Sequence, residues 1–313
     1  MTFTPPLHAA LDELAVVSFT GADAGSFLHG QLTQDVQNLK PGQASLAGYC
    51  TAKGRLLATC VIWQAQADTY LALVRADLAD ALVKRLSMFV LRAKVSIVRS
   101  PLQVWGLALP AVSAHTTGAA WQVAAADNSW RITAPDKQIA DQQDGIQRCW
   151  YVANASQPPS GATQPGWANR WRVRDVQTGL PWVQAVTQER FIPQTLNLDL
   201  IGGVSFTKGC YPGQEVVARS HYRGTLKRRM AAGYCTAAVE HAEWLSADAD
   251  IFDAHHPEQP WGRIVNVAID QHTAWLLFEA QLNNLDEADL HLGHAQGAAI
   301  TLHPLPYALT MEN

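Results

Sequence analysis

Apolar residues fall in short runs along most of this chain, and the period of the pattern changes several times. Residues 14–19 form one apolar run with strand character. Gly21-Ala22-Asp23 then leads into a helix whose Phe27, Leu28, Leu32 and Val36 share a face at helical spacing. A hairpin follows: a strand at 46–50, a turn at Thr51-Ala52-Lys53-Gly54, and a second strand at 55–63, with a third strand at 70–74. Residues 77–91 carry Leu78, Leu82, Val83, Leu86 and Val90 on one helical stripe, and strands return at 95–98 and 104–109. An antiparallel sheet with helices on one face is the α+β class.

Residues 110–165 are richer in Ala, Gln, Pro and Gly, with short strands expected at 129–133 and 149–153 and a loop at Gln157-Pro158-Pro159-Ser160-Gly161. A helix is expected over 167–178, stopped by Gly179 and Pro181. From about residue 227 only short strands remain, at 229–235, 263–269, 273–279 and 298–302. That pattern predicts a small antiparallel β-barrel. With 313 residues, two domains are the default, at about 100–200 residues each. The expected division is 1–226 and 227–313.

Charge sharpens that division. The net charge of −4 argues against direct nucleic-acid binding. Residues 1–230 nevertheless carry 22 Lys and Arg against 15 Asp and Glu, whereas 231–313 carry Arg263 alone against 12 acids. An anionic ligand is therefore expected in the first unit. The five cysteines are odd in number, widely spaced and without a C-x-x-C pair, which fits reduced thiols in a cytoplasm. The first Lys or Arg is Lys40, so neither a secretory signal nor an Arg-rich transit peptide is expected. No uncharged apolar stretch approaches 18 residues, so no membrane-spanning helix is expected.

The densest polar chemistry lies in residues 204–230. Cys210 follows Lys208 by two residues and precedes Pro212, which suits the first position of a helix. Gln214 and Glu215 would then occupy the first turn. A nearby Lys and a helix N-terminus both favour a thiolate, so the pattern predicts a partly exposed, reactive Cys210. The alternative is a buried Cys packed as a small hydrophobe. Arg219, His221, Arg223, Lys227, Arg228 and Arg229 follow with no acid among them. They could receive carboxylates or phosphates, or be a solvated face or a guarded strand edge. His255-His256 and the pair His291 and His294 lack a converging ligand set, and no stable metal site is expected. Asp35 and Asp175 pair with no nucleophile or base that the sequence reveals. There is no Gly-x-Gly-x-x-Gly and no Gly-x-Ser-x-Gly.

The octapeptide Lys208-Gly209-Cys210-Tyr211-x-Gly213-Gln214-Glu215 resembles the signature of the YgfZ folate-binding family, relatives of the glycine-cleavage T-protein. Gly21-Ala22-Asp23-Ala24-x-x-Phe27-Leu28-x-Gly30-Gln31-Leu32-Thr33-x-Asp35-Val36 is similar to that family's opening helix. Lys53-Gly54-Arg55-Leu56 is similar to its hairpin, and Phe191-Ile192-Pro193-Gln194-x-Leu196-Asn197-Leu198-Asp199 to the segment before its signature. The resemblance implies a folate-binding α+β body of two intertwined ferredoxin-like subdomains, followed by a C-terminal β-barrel. It implies tetrahydrofolate, which could be polyglutamylated, as cofactor, and iron–sulfur assembly factors or client enzymes, tRNA-modifying ones included, as partners. Cys210 would be a reactive or partner-contacting thiol. Lys208, Tyr211, Gln214, Glu215, Arg219, Arg223 and Arg228 are the candidate folate contacts, with the basic run placed at the glutamyl tail from its charge. A folate-dependent one-carbon transferase and a folate-independent thiol oxidoreductase are the alternatives.

Overall fold

The structure is a computed structural model that describes residues 6–110, 120–136, 146–222, 226–238 and 242–309. Its first half runs β1 (Leu7–Ala10), β2 (Leu14–Thr20), α1 (Ala24–His29), β3 (Ala44–Cys50), β4 (Leu56–Gln66), β5 (Thr69–Arg75), α2 (Ala76–Ser87), β6 (Ser96–Ser100), β7 (Gln103–Pro110), β8 (Val123–Ala126) and β9 (Ser129–Thr133). Then follow β10 (Ile146–Ala153), β11 (Ala162–Thr163), α3 (Trp167–Gln177), a 3-10 turn (Ala185–Thr187) and α4 (Gln214–Tyr222). The last part is strand only: β12 (Arg228–Thr236), β13 (Asp250–Asp253), β14 (Gly262–Asp270), β15 (Thr273–Gln281), β16 (Leu290–Leu292) and β17 (Thr301–His303).

These elements build three sheets, ordered β3-β4-β5-β2-β6, β11-β1-β7-β10-β9-β8 and β16-β13-β14-β15-β12-β17. The fold is mixed α+β. The run from Leu56 to Trp63 in β4 is buried at every position, because both faces of its sheet are covered. Continuous apolar runs are the consequence of that double burial.

The first helix is shorter than its apolar stripe predicts. It stops before Gly30, although Leu32 and Val36 are buried as expected. Beyond it, Leu32 bridges to Tyr49. The backbone N–H of Thr33 donates to Gly48 O at 2.9 Å, and its hydroxyl donates to Gly203 O at 2.6 Å. Tertiary hydrogen bonds replace the helical ones, so the stripe survives in an irregular segment. The second helix also ends early, at Ser87, and leaves Met88, Phe89 and Leu91 exposed.

Tryptophan links the first two sheets through Trp63 on β4 and Trp130 on β9, 6.4 Å apart. Trp150 on β10 touches Trp121, Trp171 and Trp182, and Trp171 touches Trp167, at ring separations of 5.8–6.5 Å. Trp150, Trp167, Trp171 and Trp182 are buried. Most of these rings are therefore core, where they supply large contact area.

The third sheet curls on itself around Ile251, Ile264, Phe278, Leu290, Leu292 and Ile300. Ile300 donates to Leu290 O at 2.8 Å and Leu292 to Ala298 O at 3.0 Å, while the following β17 pairs with β12. Residues 298–303 thus bridge the sheet's two ends, as a barrel-like sheet without open edges would have it. The strands β1, β8, β11, β13 and β16 were not expected; each is four residues or fewer, too short to show a period. Buried Asn266, beside a register shift in β14, exchanges two 2.8 Å hydrogen bonds with the backbone of Trp182. Buried Arg229 makes a bidentate pair with Asp199 at 2.9 and 3.0 Å. These polar ties fix the third sheet to the rest of the chain.

Candidate functional site

The loop before α4 is built to hold one thiol outward. Lys208 is buried, and its ammonium donates to the carbonyls of His29 and, at 2.8 Å, Leu32, at the C-terminal end of α1. A cation at that end satisfies carbonyls that a helix leaves unpaired. The same ammonium lies 4.7 Å from the ring centre of Tyr211, which is itself buried. Burial lowers the Lys208 amine to about 8, with Asp35 and Cys210 acting in the opposite direction. Burial raises the Tyr211 hydroxyl well above its ordinary value. Between these two anchors, Cys210 is exposed. The other four cysteines are buried, and burial raises Cys50 and Cys60 to about 12 and Cys149 and Cys235 to about 11.

Helix α4 begins at Gln214, two residues later than Pro212 would have started it. Gly213 explains the delay, since its φ of +82° is left-handed and cannot belong to the helix. A Cβ there would stand 2.5 Å from Thr51 O and 2.6 Å from Gly54 Cα. The hairpin turn and the signature segment therefore meet backbone to backbone.

The remaining expected site residues separate into different places. Gln214 is half-buried, and its amide reaches back to Lys208 O at 3.5 Å. Glu215 and Arg219 are exposed and paired with each other at 2.5 Å, one helical turn apart. Arg228 lies on β12, donating to Trp261 O at 2.9 Å and standing 3.6 Å from Glu279. Arg223 lies outside the described residues. His221 stacks on Phe206 at 3.8 Å. Arg219, Arg228 and Arg229 thus each have partners within the chain.

Two acids that the sequence left unpaired have partners. Asp35 Oδ1 is 3.1 Å from His29 Nδ1. Asp175 accepts from Arg148 Nη1 at 2.8 Å and from Trp182 Nε1 at 3.1 Å, all three buried. Burial raises the Asp175 carboxyl, with Arg148 opposing. His29 sits one residue before Gly30 in the opening motif. Its partner lies beyond the helix end, where no periodicity could point to it.

A cavity of about 280 Å³ opens where α3, β14 and the ends of β2 and β5 meet. Its walls include Trp171, Leu180, Trp182 and Val267, with Arg75 and Arg172 among the polar groups. Ligand pockets for organic molecules begin at about 300 Å³. Arg75 Nε and Trp171 Nε1 are buried there with no hydrogen-bond partner among the described residues. The two acids on the wall are both engaged: Glu13 holds Arg172 at 2.6 and 2.9 Å, and Asp175 holds Arg148. Both donor atoms are closed to solvent, and Arg75 Nε stands 3.9 Å from Asp77 Oδ1, so a ligand with carbonyl or carboxylate oxygens would meet them only where the wall opens. Among the described residues, no group of three or more His, Cys, Asp and Glu could hold a metal ion, and no helix is long and apolar enough to cross a membrane.

The architecture is shared with a known enzyme class. The glycine cleavage system aminomethyltransferase T from Bartonella henselae superposes with a TM-score of 0.72 over 97% of this chain and 87% of its own, at 12% identity. The fold is therefore that of the glycine-cleavage T-protein. The chain matches no family model. It is 30% identical to the tRNA-modifying protein YgfZ of Enterobacter sp. (strain 638), over 96% of this chain and 93% of that protein. It is 28% identical to the protein of that name from Yersinia pseudotuberculosis serotype O:1b (strain IP 31758), over 97% and 93%. The chain belongs to the YgfZ family.

Proposed function

We propose that this protein is a tetrahydrofolate-binding accessory factor that supports iron–sulfur enzymes, including tRNA-modifying ones, through the thiol of Cys210. The observation that carries the reading is the anchoring of that thiol. Lys208 and Tyr211 are buried on either side of an exposed Cys210, and Gly213 locks the loop onto the hairpin. Burial of a Lys is costly and is expected only where its position matters. Lys208, Tyr211 and Gln214 act as positioning residues for the thiol. The names of the curated relatives tie the family to tRNA modification, and a client enzyme in the cytoplasm is the partner that an outward thiol would meet.

The cavity between α3 and β14 is the place for the folate. Arg75 on its wall would donate to it, with the wall opening to admit its rings beside Trp182. A bound reduced folate supplies a one-carbon carrier. Because Glu13 and Asp175 are already paired, the cavity wall presents no free carboxylate to assist transfer of that carbon, which favours an accessory role over a transferase. In this reading residues 1–226 are the folate-binding unit, two interleaved ferredoxin-like subdomains, and 227–313 are the barrel. Arg219, Arg223 and Arg228 would serve a glutamyl tail, Arg219 and Arg228 by exchanging Glu215 and Glu279 for its carboxylates.

The test is replacement of Cys210 in cells. With Cys210→Ala as the only copy, iron–sulfur-dependent tRNA modification should fall toward the level of cells lacking the protein. Modification sustained at the native level would remove the thiol from the function.

A further inference from the structure

Behind the Cys210 loop lies an acid–imidazole pair that the proposed function leaves unused. His29 ends α1, and its Nδ1 is 3.1 Å from Asp35 Oδ1. Asp35 is held in turn by Asn38, whose backbone N–H and side-chain amide donate to its carboxyl at 3.2 and 2.8 Å. Those bonds from Asn38 and the nearby His29 keep the carboxyl below its ordinary range. The contact is an ion-pair distance without hydrogen-bond geometry, and the carboxylate beside Nδ1 favours the ring proton on that side, which leaves Nε2 as the acceptor. Nε2 faces the loop: a Cβ on Gly209 would stand 3.5 Å from it, and Cys210 is the next residue. Lys208 fixes the same stretch by donating to the carbonyl of His29 itself. An acid, an imidazole and an exposed thiol are thus carried on two segments that are bonded to each other.

We propose that His29, oriented by Asp35, is the proton acceptor for Cys210, directly or through one water. The inference rests on Cys210 being the reactive thiol. The step is one proton transfer. The S–H bond breaks, its electron pair stays on sulfur, and the proton bonds to Nε2, giving a thiolate beside an imidazolium. No oxidant or co-reactant is consumed. The charged groups facing the pair are Asp35 behind the ring and Lys208 beneath the loop.

The test is alkylation of the intact native protein by iodoacetamide, read at Cys210 by peptide mass spectrometry from about pH 6 to about pH 9. The other cysteines are buried and are resolved as separate peptides. His29→Gln should slow alkylation at neutral pH at least about fivefold and move the rate profile to higher pH. Asp35→Asn should move it the same way by less, and added imidazole should restore part of the His29→Gln rate. A native profile in His29→Gln overturns the proposal. So does a loss of rate that is equal at every pH, which is what a purely structural role would give. The readout needs no client enzyme, so loss of the Cys210 role in cells would leave this result standing, and the reverse also holds.

Discussion

Gly54 and Gly213 are packed backbone against backbone, each at a left-handed φ, +71° and +82°. A Cβ on Gly213 would come within 2.6 Å of both the N and the Cα of Gly54, and one on Gly54 would stand 3.0 Å from Val216 Cβ. Two motifs far apart in sequence thereby become one rigid support beneath the thiol loop. Gly213→Ala should destabilise the protein by about 1–3 kcal/mol, from left-handed strain together with the collision at Thr51 O. Urea unfolding measures it. A cost under about 0.5 kcal/mol would mean that the contact yields easily.

Lys208 gives a pH dependence of definite sign. Its folded value, about 8, lies below the ordinary 10.5. The fold therefore disfavours the charged amine, and that cost is fully present below pH 8. As pH rises from 8 toward 10.5 the folded protein has already released a proton that the unfolded chain still binds, so this group's contribution to stability increases. Relative to Lys208→Met, the native protein should gain about 1–3 kcal/mol across that window. Denaturation of both proteins at several alkaline pH values checks it, and parallel curves would refute the burial effect.

Arg148 is buried between Asp136 and Asp175, with its guanidinium 4.6 Å from the centre of the Trp171 ring. Arg148→Ala strands a buried carboxylate and should cost about 3–5 kcal/mol. Adding Asp175→Asn should recover part of that loss, because the stranded charge is then gone. A double variant no more stable than the single one would place the cost in packing.

The pair Glu215 and Arg219 is exposed on both sides. Such a pair contributes about 0.3–0.5 kcal/mol, so Arg219→Ala should leave the melting behaviour nearly native. If a glutamyl tail reaches the basic run, neutralising Arg219, Arg223 and Arg228 together should weaken polyglutamyl folate and spare the monoglutamate. Equal affinity for the two forms, before and after, would exclude that placement.

Where burial follows periodicity, the sequence was readable. The hairpin around Thr51–Gly54, the amphipathic run from Leu78 to Leu86 and the strand-only C-terminal part all form as the pattern predicts. Periodicity failed where tertiary hydrogen bonds override it, as after Gly30, where Thr33 bonds to Gly48 and Gly203. The exposed Cys210 and its adjacent Lys208 were legible from spacing. The inward direction of Lys208 was not, since nothing local reveals that its partners are the carbonyls of His29 and Leu32. Nor could spacing join His29 to Asp35, or place Arg75 and Trp171 on one cavity. Those relationships depend on how the sheets pack.

Binding of tetrahydrofolate by the intact protein, measured by anaerobic calorimetric titration beside Arg75→Gln, tests the central claim most directly. The expected result is a single site of about micromolar affinity, near −8 kcal/mol, weakened at least about tenfold by Arg75→Gln while the melting temperature stays close to native. Absence of binding to the native protein would contradict the folate reading and bring a folate-independent thiol function to the front.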